Sequence, residues 1–237
     1  MKNKITQKGL SLIEMMVALL LSTFLILGVT EIYLKNKGNY LYQKSQTDNQ
    51  NNIRFATNLL DEQLSKAGYI SNPEKNTKSF VFASIPAVNG CTYEKEQFIA
   101  ITNNKKGVCF LYQVSSSDDE VDCLGNLASK GAILNILIQY ELDPKTNEGL
   151  ITCTAQGKKE TLVGGLLDFS WFPLQEKDSS LQAVKYAALF ESKNSSNNGV
   201  SSNILSRWKE LTGHEISNNT SAMQIMQGSV TLRNLTQ

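Results

Sequence analysis

Lys8-Gly9-Leu10-Ser11-Leu12-Ile13-Glu14, running into a stretch with no charged residue from Met15 to Thr30, decides how this chain is organised. The segment sets one acidic residue just inside an apolar helix. Basic residues ahead of an apolar run suit a secretory signal, but such a signal ends in a small-residue cleavage site after the run. Here the small residue, Gly9, precedes it. A carboxylate in hydrocarbon costs a few kcal/mol on insertion scales, so Glu14 calls for a functional explanation, and its natural partner is a cation.

These residues resemble the class III signal of type IV prepilins and pseudopilins, in which a dedicated peptidase cuts after the glycine and methylates the new N-terminus. The resemblance implies cleavage between Gly9 and Leu10, N-methylation of Leu10, and Glu14 as the fifth mature residue, where that family carries its glutamate. The Leu10 amine stays cationic after methylation. The Glu14 carboxylate of a neighbouring subunit can neutralise it inside an apolar helix bundle, so Glu14 is expected to specify subunit register more than to add stability. A plain signal anchor with an incidental glutamate is the alternative reading.

The chain has 237 residues and a formal net charge of +1, which becomes −2 once Lys2, Lys4 and Lys8 leave with residues 1–9. Nothing in that balance suggests a nucleic-acid binder. Those lysines precede the apolar run, and by the positive-inside rule they hold the N-terminus in the cytoplasm and send the remainder to the periplasm. Met15 to Thr30 would rise about 24 Å as a helix against a hydrocarbon core of roughly 30 Å. Leu10–Ile13 and Ile32–Leu34 complete a span.

The expected organisation is a leader (1–9), a membrane and assembly helix (10–34), a periplasmic continuation of that helix (35–68) and a β-rich globular domain (69–237). Beyond a polar stretch from Lys35 to Asn52, Ile53, Ala56, Leu60, Leu64 and Ala67 fall on one helical face, which predicts packing on a downstream sheet. Gly68 supplies a left-handed stop, and Pro73 prevents resumption. A continuous helix over 10–67 would be about 87 Å long. No proline precedes Pro73, so a straight first half is expected.

From Phe80 onward, short apolar, β-branched or aromatic runs between turn residues read as strands. They are Phe80–Ile85, Gln97–Thr102, Val108–Val114, Ile133–Leu142, Gly149–Thr154, Leu166–Phe172, Ala183–Phe190 and Ser229–Leu232. Asn103–Gly107 reads as a hairpin turn. Ile133–Tyr140 could equally be a short helix by periodicity. Ser192–Ser202 reads as a loop, followed by a short helix from Ile204 to Leu211 capped by Asn203 and ended by Gly213. The fold class is α+β, a long helix on an antiparallel sheet, similar to pilins.

Cys91, Cys109, Cys123 and Cys153 all lie in the exported part, where disulfides persist. Three connectivities are open to them. The favoured one pairs Cys91 with Cys109 and Cys123 with Cys153, because each closes a modest loop between predicted strands. A four-cysteine metal site is the rival, but there is no C-x-x-C pair.

Asn52-Ile53-Arg54-Phe55-Ala56 and Lys66-Ala67-Gly68-Tyr69 resemble the R-F-A and A-G-Y pair of PilW-type minor pilins. Leu162-Val163-Gly164-Gly165-Leu166, Ala183-Val184-Lys185 through Ser192, and Thr231-Leu232-Arg233-Asn234 resemble turns and last strands of that group. The presence of Glu14 argues against a K-type tip pseudopilin. The resemblance implies a minor pilin that primes or caps a type IV pilus, with other minor pilins, the major pilin, prepilin peptidase, the inner-membrane assembly platform and membrane lipid as partners. It implies no cofactor, no metal and no direct nucleic-acid contact. A J-type minor pseudopilin of type II secretion, or an adhesin or DNA-uptake module at a pilus tip, are the alternatives.

No enzyme site can be built. His214 is the only histidine and falls on a predicted surface segment, and no G-x-S-x-G, H-E-x-x-H or phosphate loop occurs. Asp118-Asp119-Glu120 with Asp122 lacks EF-hand spacing and reads as a solvated acidic loop rather than a calcium site. Trp171 and Phe172 read as core. Lys158-Lys159 alone makes no electrostatic footprint for DNA.

Overall fold

The computed structural model describes residues 11–71, 91–93, 97–116, 119–175, 181–192, 201–217, 222–232 and 234. The expected strand Phe80–Ile85 lies outside them. Helix α1 runs from Leu12 to Ser65, 54 residues or about 81 Å. Among the described residues seven strands follow: β1 (Ile99–Ile101), β2 (Gly107–Gln113), β3 (Ile133–Leu142), β4 (Gly149–Ala155), β5 (Lys158–Gln175), β6 (Leu181–Ser192) and β7 (Ala222–Thr231). Helix α2 (Ser201–Thr212) interrupts the β6–β7 connection. The strands form one antiparallel sheet in sequence order, so the architecture is α+β and pilin-like.

The sheet curls because β5 turns a corner. Its first half, from Lys158 to Leu166, pairs with β4, and its second half, from Leu166 to Gln175, pairs with β6. Gly165 sits at φ +79, a left-handed conformation that glycine adopts without a Cβ penalty, and a β-bulge follows between Leu166 and Asp168. The curl carries the β1–β2 turn back onto β5, where Trp171 N–H donates to the Lys105 carbonyl at 3.0 Å. The Tyr140 hydroxyl donates to the Leu167 carbonyl at 2.8 Å across the same gap.

The concave face receives α1. Ala56, Leu60, Leu64 and Ala67 are fully buried there among Phe110, Ile136, Trp171, Tyr186 and Phe190, which is the stripe its 3.6-residue spacing predicts. Gly68, at φ +72, ends the helical turn, and its N–H donates to the Leu111 carbonyl. The sheet's grip on α1 reaches back to the buried Ser45 and Asn49, whereas every residue from Leu12 to Leu41 is exposed. About 45 Å of helix therefore projects from the head without packing on it.

Among the described residues the convex face is covered by α2 and by the segment at Cys91–Tyr93. Along β6, Val184, Tyr186, Ala188 and Phe190 face α1, while Ala187 and Leu189 alternate outward and pack under Trp208 of α2 with Met223 of β7. At the other end Cys91 and Tyr93 lie over Cys109 and Leu137. Cys91 is bonded to Cys109 and Cys123 to Cys153, with Cα separations of 6.2 and 6.4 Å.

The strand expected over Ile133–Leu142 forms with those bounds because both its neighbours hydrogen-bond to it, which removes the helical alternative. Other sequence expectations need correction. The strand expected over Gln97–Thr102 is only three residues, Ile99–Ile101. Those expected over Leu166–Phe172 and Ser229–Leu232 are much longer, because partners supply hydrogen bonds that local pattern does not show. Asn203 is inside α2, which begins at Ser201, and of the expected loop Ser192–Ser202 the two ends belong to β6 and α2. Gly213, at φ +77, does end that helix.

Candidate functional site

The projecting half of α1 presents Leu12, Leu19, Phe24, Leu25, Leu27 and Val29 to its surroundings, each well over half exposed. This helix is long and apolar enough to cross a membrane. Its one acidic residue before Glu31 is Glu14, in the first turn. The Ser11 N–H donates to Glu14 Oε2 at 3.1 Å, satisfying one of the free donors at the helix start. Among the described residues no ion pair reaches Glu14, whereas Glu31 pairs with Lys35 at 2.7 Å one turn further on. Among the described residues, the Glu14 carboxylate thus stands on an apolar rod and is bonded only to its own helix end. Gly9 and Leu10 lie outside the described residues.

Residues 5–30 match the family described as the prokaryotic N-terminal methylation motif. The chain carries a prepilin-type N-methylation motif. With the long apolar helix behind it, that match supports a type IV pilin-like protein. No curated protein and no solved structure gives a significant match.

On the convex face the bulge in β5 turns Asp168 beneath α2, where it is 6 % exposed. Three elements supply donors to it. His214 Nδ1, just past α2, lies 2.6 Å from Oδ2, Trp208 Nε1 donates to Oδ2 at 3.1 Å, and Lys106 Nζ from the β1–β2 turn reaches Oδ1 at 3.3 Å. Lys106 also sits 4.7 Å from the centre of the Tyr140 ring. Burial first, and then the Asp168 charge, push the Tyr140 phenol up to about 12. His214, expected on the surface, is thus two-thirds covered and bonded. The sequence reading missed this cluster; the one local trace of it is a lone acid within the apolar run Leu166–Phe172, since a buried carboxylate needs donors.

A carboxylate–imidazole pair can serve catalysis by activating a hydroxyl. Ser170, two residues further along β5, is buried and its Oγ has no hydrogen-bond partner among the described residues, so it is not engaged by the pair.

At the far end of α1 a cleft of about 330 Å³ is lined by Ser65, Lys66, Tyr69, Asp119, Glu120 and Asn234. Lys66 Nζ is 3.8 Å from Glu62 and 3.9 Å from Glu120. Two carboxylates facing one engaged lysine repel a phosphate backbone. Of the acidic loop, Asp122 is buried and structural: its Oδ1 accepts from the Leu124 and Asn126 N–H groups, and its Oδ2 from Gln156. Asp118 lies outside the described residues. Trp171 is buried beside Phe169 and Tyr186, as read, and Phe172 packs outward in the α2 cluster.

Proposed function

We propose that this pilin-like protein is a minor pilin, a non-enzymatic subunit that primes or caps a type IV pilus after cleavage between Gly9 and Leu10 and N-methylation of Leu10. The observation that carries the reading is Glu14, a charge on an apolar helix half that its own head leaves entirely uncovered. Such a surface exposes far more apolar area than a soluble monomer tolerates, so lipid before assembly and neighbouring helices after it are its two natural environments. In the membrane, residues 10–34 hold the subunit with its N-terminus in the cytoplasm and its head in the periplasm. On assembly the Glu14 carboxylate of an incoming subunit meets the Leu10 amine of a neighbour. Burying both charges together costs less than burying either alone, so the pair selects axial register.

The head, held clear of the membrane by the rod, selects other minor pilins laterally, and the assembly platform adds major pilin to the resulting complex. The test is a count of sheared surface pili from a strain lacking both this protein and the retraction motor, complemented with wild type or with Glu14→Ala. Wild type should restore pili, and Glu14→Ala should insert in the membrane normally yet restore few. Full pilus numbers with Glu14→Ala would remove the charge-pair mechanism. Unchanged numbers in the deletion strain would remove the priming role and point to a tip module or a J-type pseudopilin of type II secretion, which exported-protein profiles would separate.

A further inference from the structure

Helix α1 carries a third kind of surface between its apolar span and its packed end. The span ends at Leu34 and the head takes hold at Ser45, so residues 35–44 form a collar of about 15 Å that the head leaves largely exposed. The positive-inside rule predicts few lysines on an exported flank. The collar nonetheless holds Lys35, Lys37 and Lys44 and no acid. Lys35 is paired with Glu31 at 2.7 Å, while among the described residues no ion pair reaches Lys37 or Lys44.

Those two lysines belong to one stripe. Tyr33, Lys37, Tyr40 and Lys44 follow one another at spacings of four, three and four, and at 100° per residue they fall within about 60° of arc. The stripe lies roughly 140° round the helix from Ser45, Asn49, Ala56 and Leu60, which are buried against the head. It therefore points away from the subunit's own head, and Tyr33 and Tyr40 are 62 % and 64 % exposed. Helical side chains lean toward the N-terminus, here toward the span. Lys37 and Tyr40 start about 4.5 and 9 Å beyond Leu34, so the ammonium and the phenol hydroxyl both come down to the headgroup layer, about 5–7 Å deep on each side of a bilayer.

We infer that this stripe is a binding site for the phosphate of an anionic phospholipid, an assignment that rests on the membrane-held state proposed above. Lys37 supplies the charge and Tyr40 a hydroxyl donor, while Tyr33, at the hydrocarbon boundary, supplies the amphipathic ring that favours that level. Charge decides between lipid and protein as the occupant. A second copy standing alongside at the same height would set Lys37 and Lys44 against the same lysines, whereas a lipid phosphate meets them with opposite sign. The stripe also continues the line of Ile26 and Val29, both exposed on the span, so a lipid whose chains lie along those residues carries its phosphate at the level of Lys37. Bound there, the lipid fixes both the depth and the rotation of the stored subunit, because only one face of the collar takes part.

The test uses the full chain reconstituted in vesicles of phosphatidylcholine, alone or with one third phosphatidylglycerol, and recovered by flotation. A membrane-impermeant amine reagent is applied at low salt. Labelling is read by mass spectrometry at Lys35, Lys37 and Lys44 relative to Lys158, which is exposed on the head. Phosphatidylglycerol should slow the labelling of Lys37 about fivefold, the effect of one lysine held at an anionic surface, and half-molar salt should erase the difference. Lys44, higher on the stripe, should be slowed less, and Lys35, on the other side of the helix, least. Lys35 lies nearer the span, so a diffuse surface potential would slow it at least as much as Lys37. Equal labelling of Lys37 in the two kinds of vesicle, or slowing of Lys35 as large as that of Lys37, would overturn the site. A chain that floats with neither vesicle would overturn the membrane-held state itself, a result distinct from both.

Discussion

Gly149 opens β4 in a position with no free room for a side chain. A Cβ built there would stand 2.4 Å from the Leu166 carbonyl oxygen and 2.5 Å from Tyr140 Cε2. Neither neighbour can give way, since one is strand backbone and the other a ring tethered by its hydroxyl to the Leu167 carbonyl. Gly149→Ala should therefore cost about 2–3 kcal/mol, the range of overpacking a core, measured by urea unfolding. Gly38→Ala, on α1 with nothing within 4 Å, should be neutral or slightly stabilising. Equal stability of the two variants would show that the β5 corner is not packed as described. At this scale Gly68 and Gly213 were legible, because a left-handed helix stop has a local chemical signature. Asp168 and His214 were not: which face Asp168 takes depends on a bulge, and 46 residues separate it from its imidazole partner.

Helix α1 is one element with two environments, and substitutions should report the boundary. Leu60 is fully buried in the head and Leu20 is mostly exposed. Leu60→Ala should lower head stability by about 3 kcal/mol through lost burial and the cavity left behind. Leu20→Ala should leave it unchanged, with unfolding followed by the fluorescence of Trp171 and Trp208. A Leu20→Ala effect of comparable size would mean that the projecting half packs on the head. The stripe from Ile53 to Ala67 was readable because helical periodicity is a local property. The strands were readable only in part. Lys158–Glu160 begins β5 with three charged residues, and Ala222–Gly228 is rich in Met and Gln, which favour helices. Pairing with β4 and β6 overrides those preferences.

Across the whole molecule, buried phenols set the alkaline limit. Burial raises Tyr93, Tyr112, Tyr140 and Tyr186 above the usual tyrosine range, with the charges of Glu120 and Asp122 adding at Tyr112, Asp168 at Tyr140 and Asp61 at Tyr186. The unfolded chain then loses these protons first, so above about pH 10 the native state binds more protons and stability falls as pH rises. Their contribution is intact below pH 10. Phenolate absorbance from these four should appear together with loss of tryptophan fluorescence signal from the folded state; ionisation of all of them in a head that stays folded through pH 11 would contradict their burial. By itself the sequence determined the methylation motif near the N-terminus, the apolar span, the long helix with its buried stripe and the α+β class, because charge, hydropathy and periodicity act over a few neighbouring residues. Only the tertiary structure decided the curl of the sheet, the corner and bulge in β5, the covering of the convex face by α2 and the meeting of Lys106, Asp168, Trp208 and His214. Those depend on strand pairing and on contacts between distant segments, whose energies no local stretch of sequence contains.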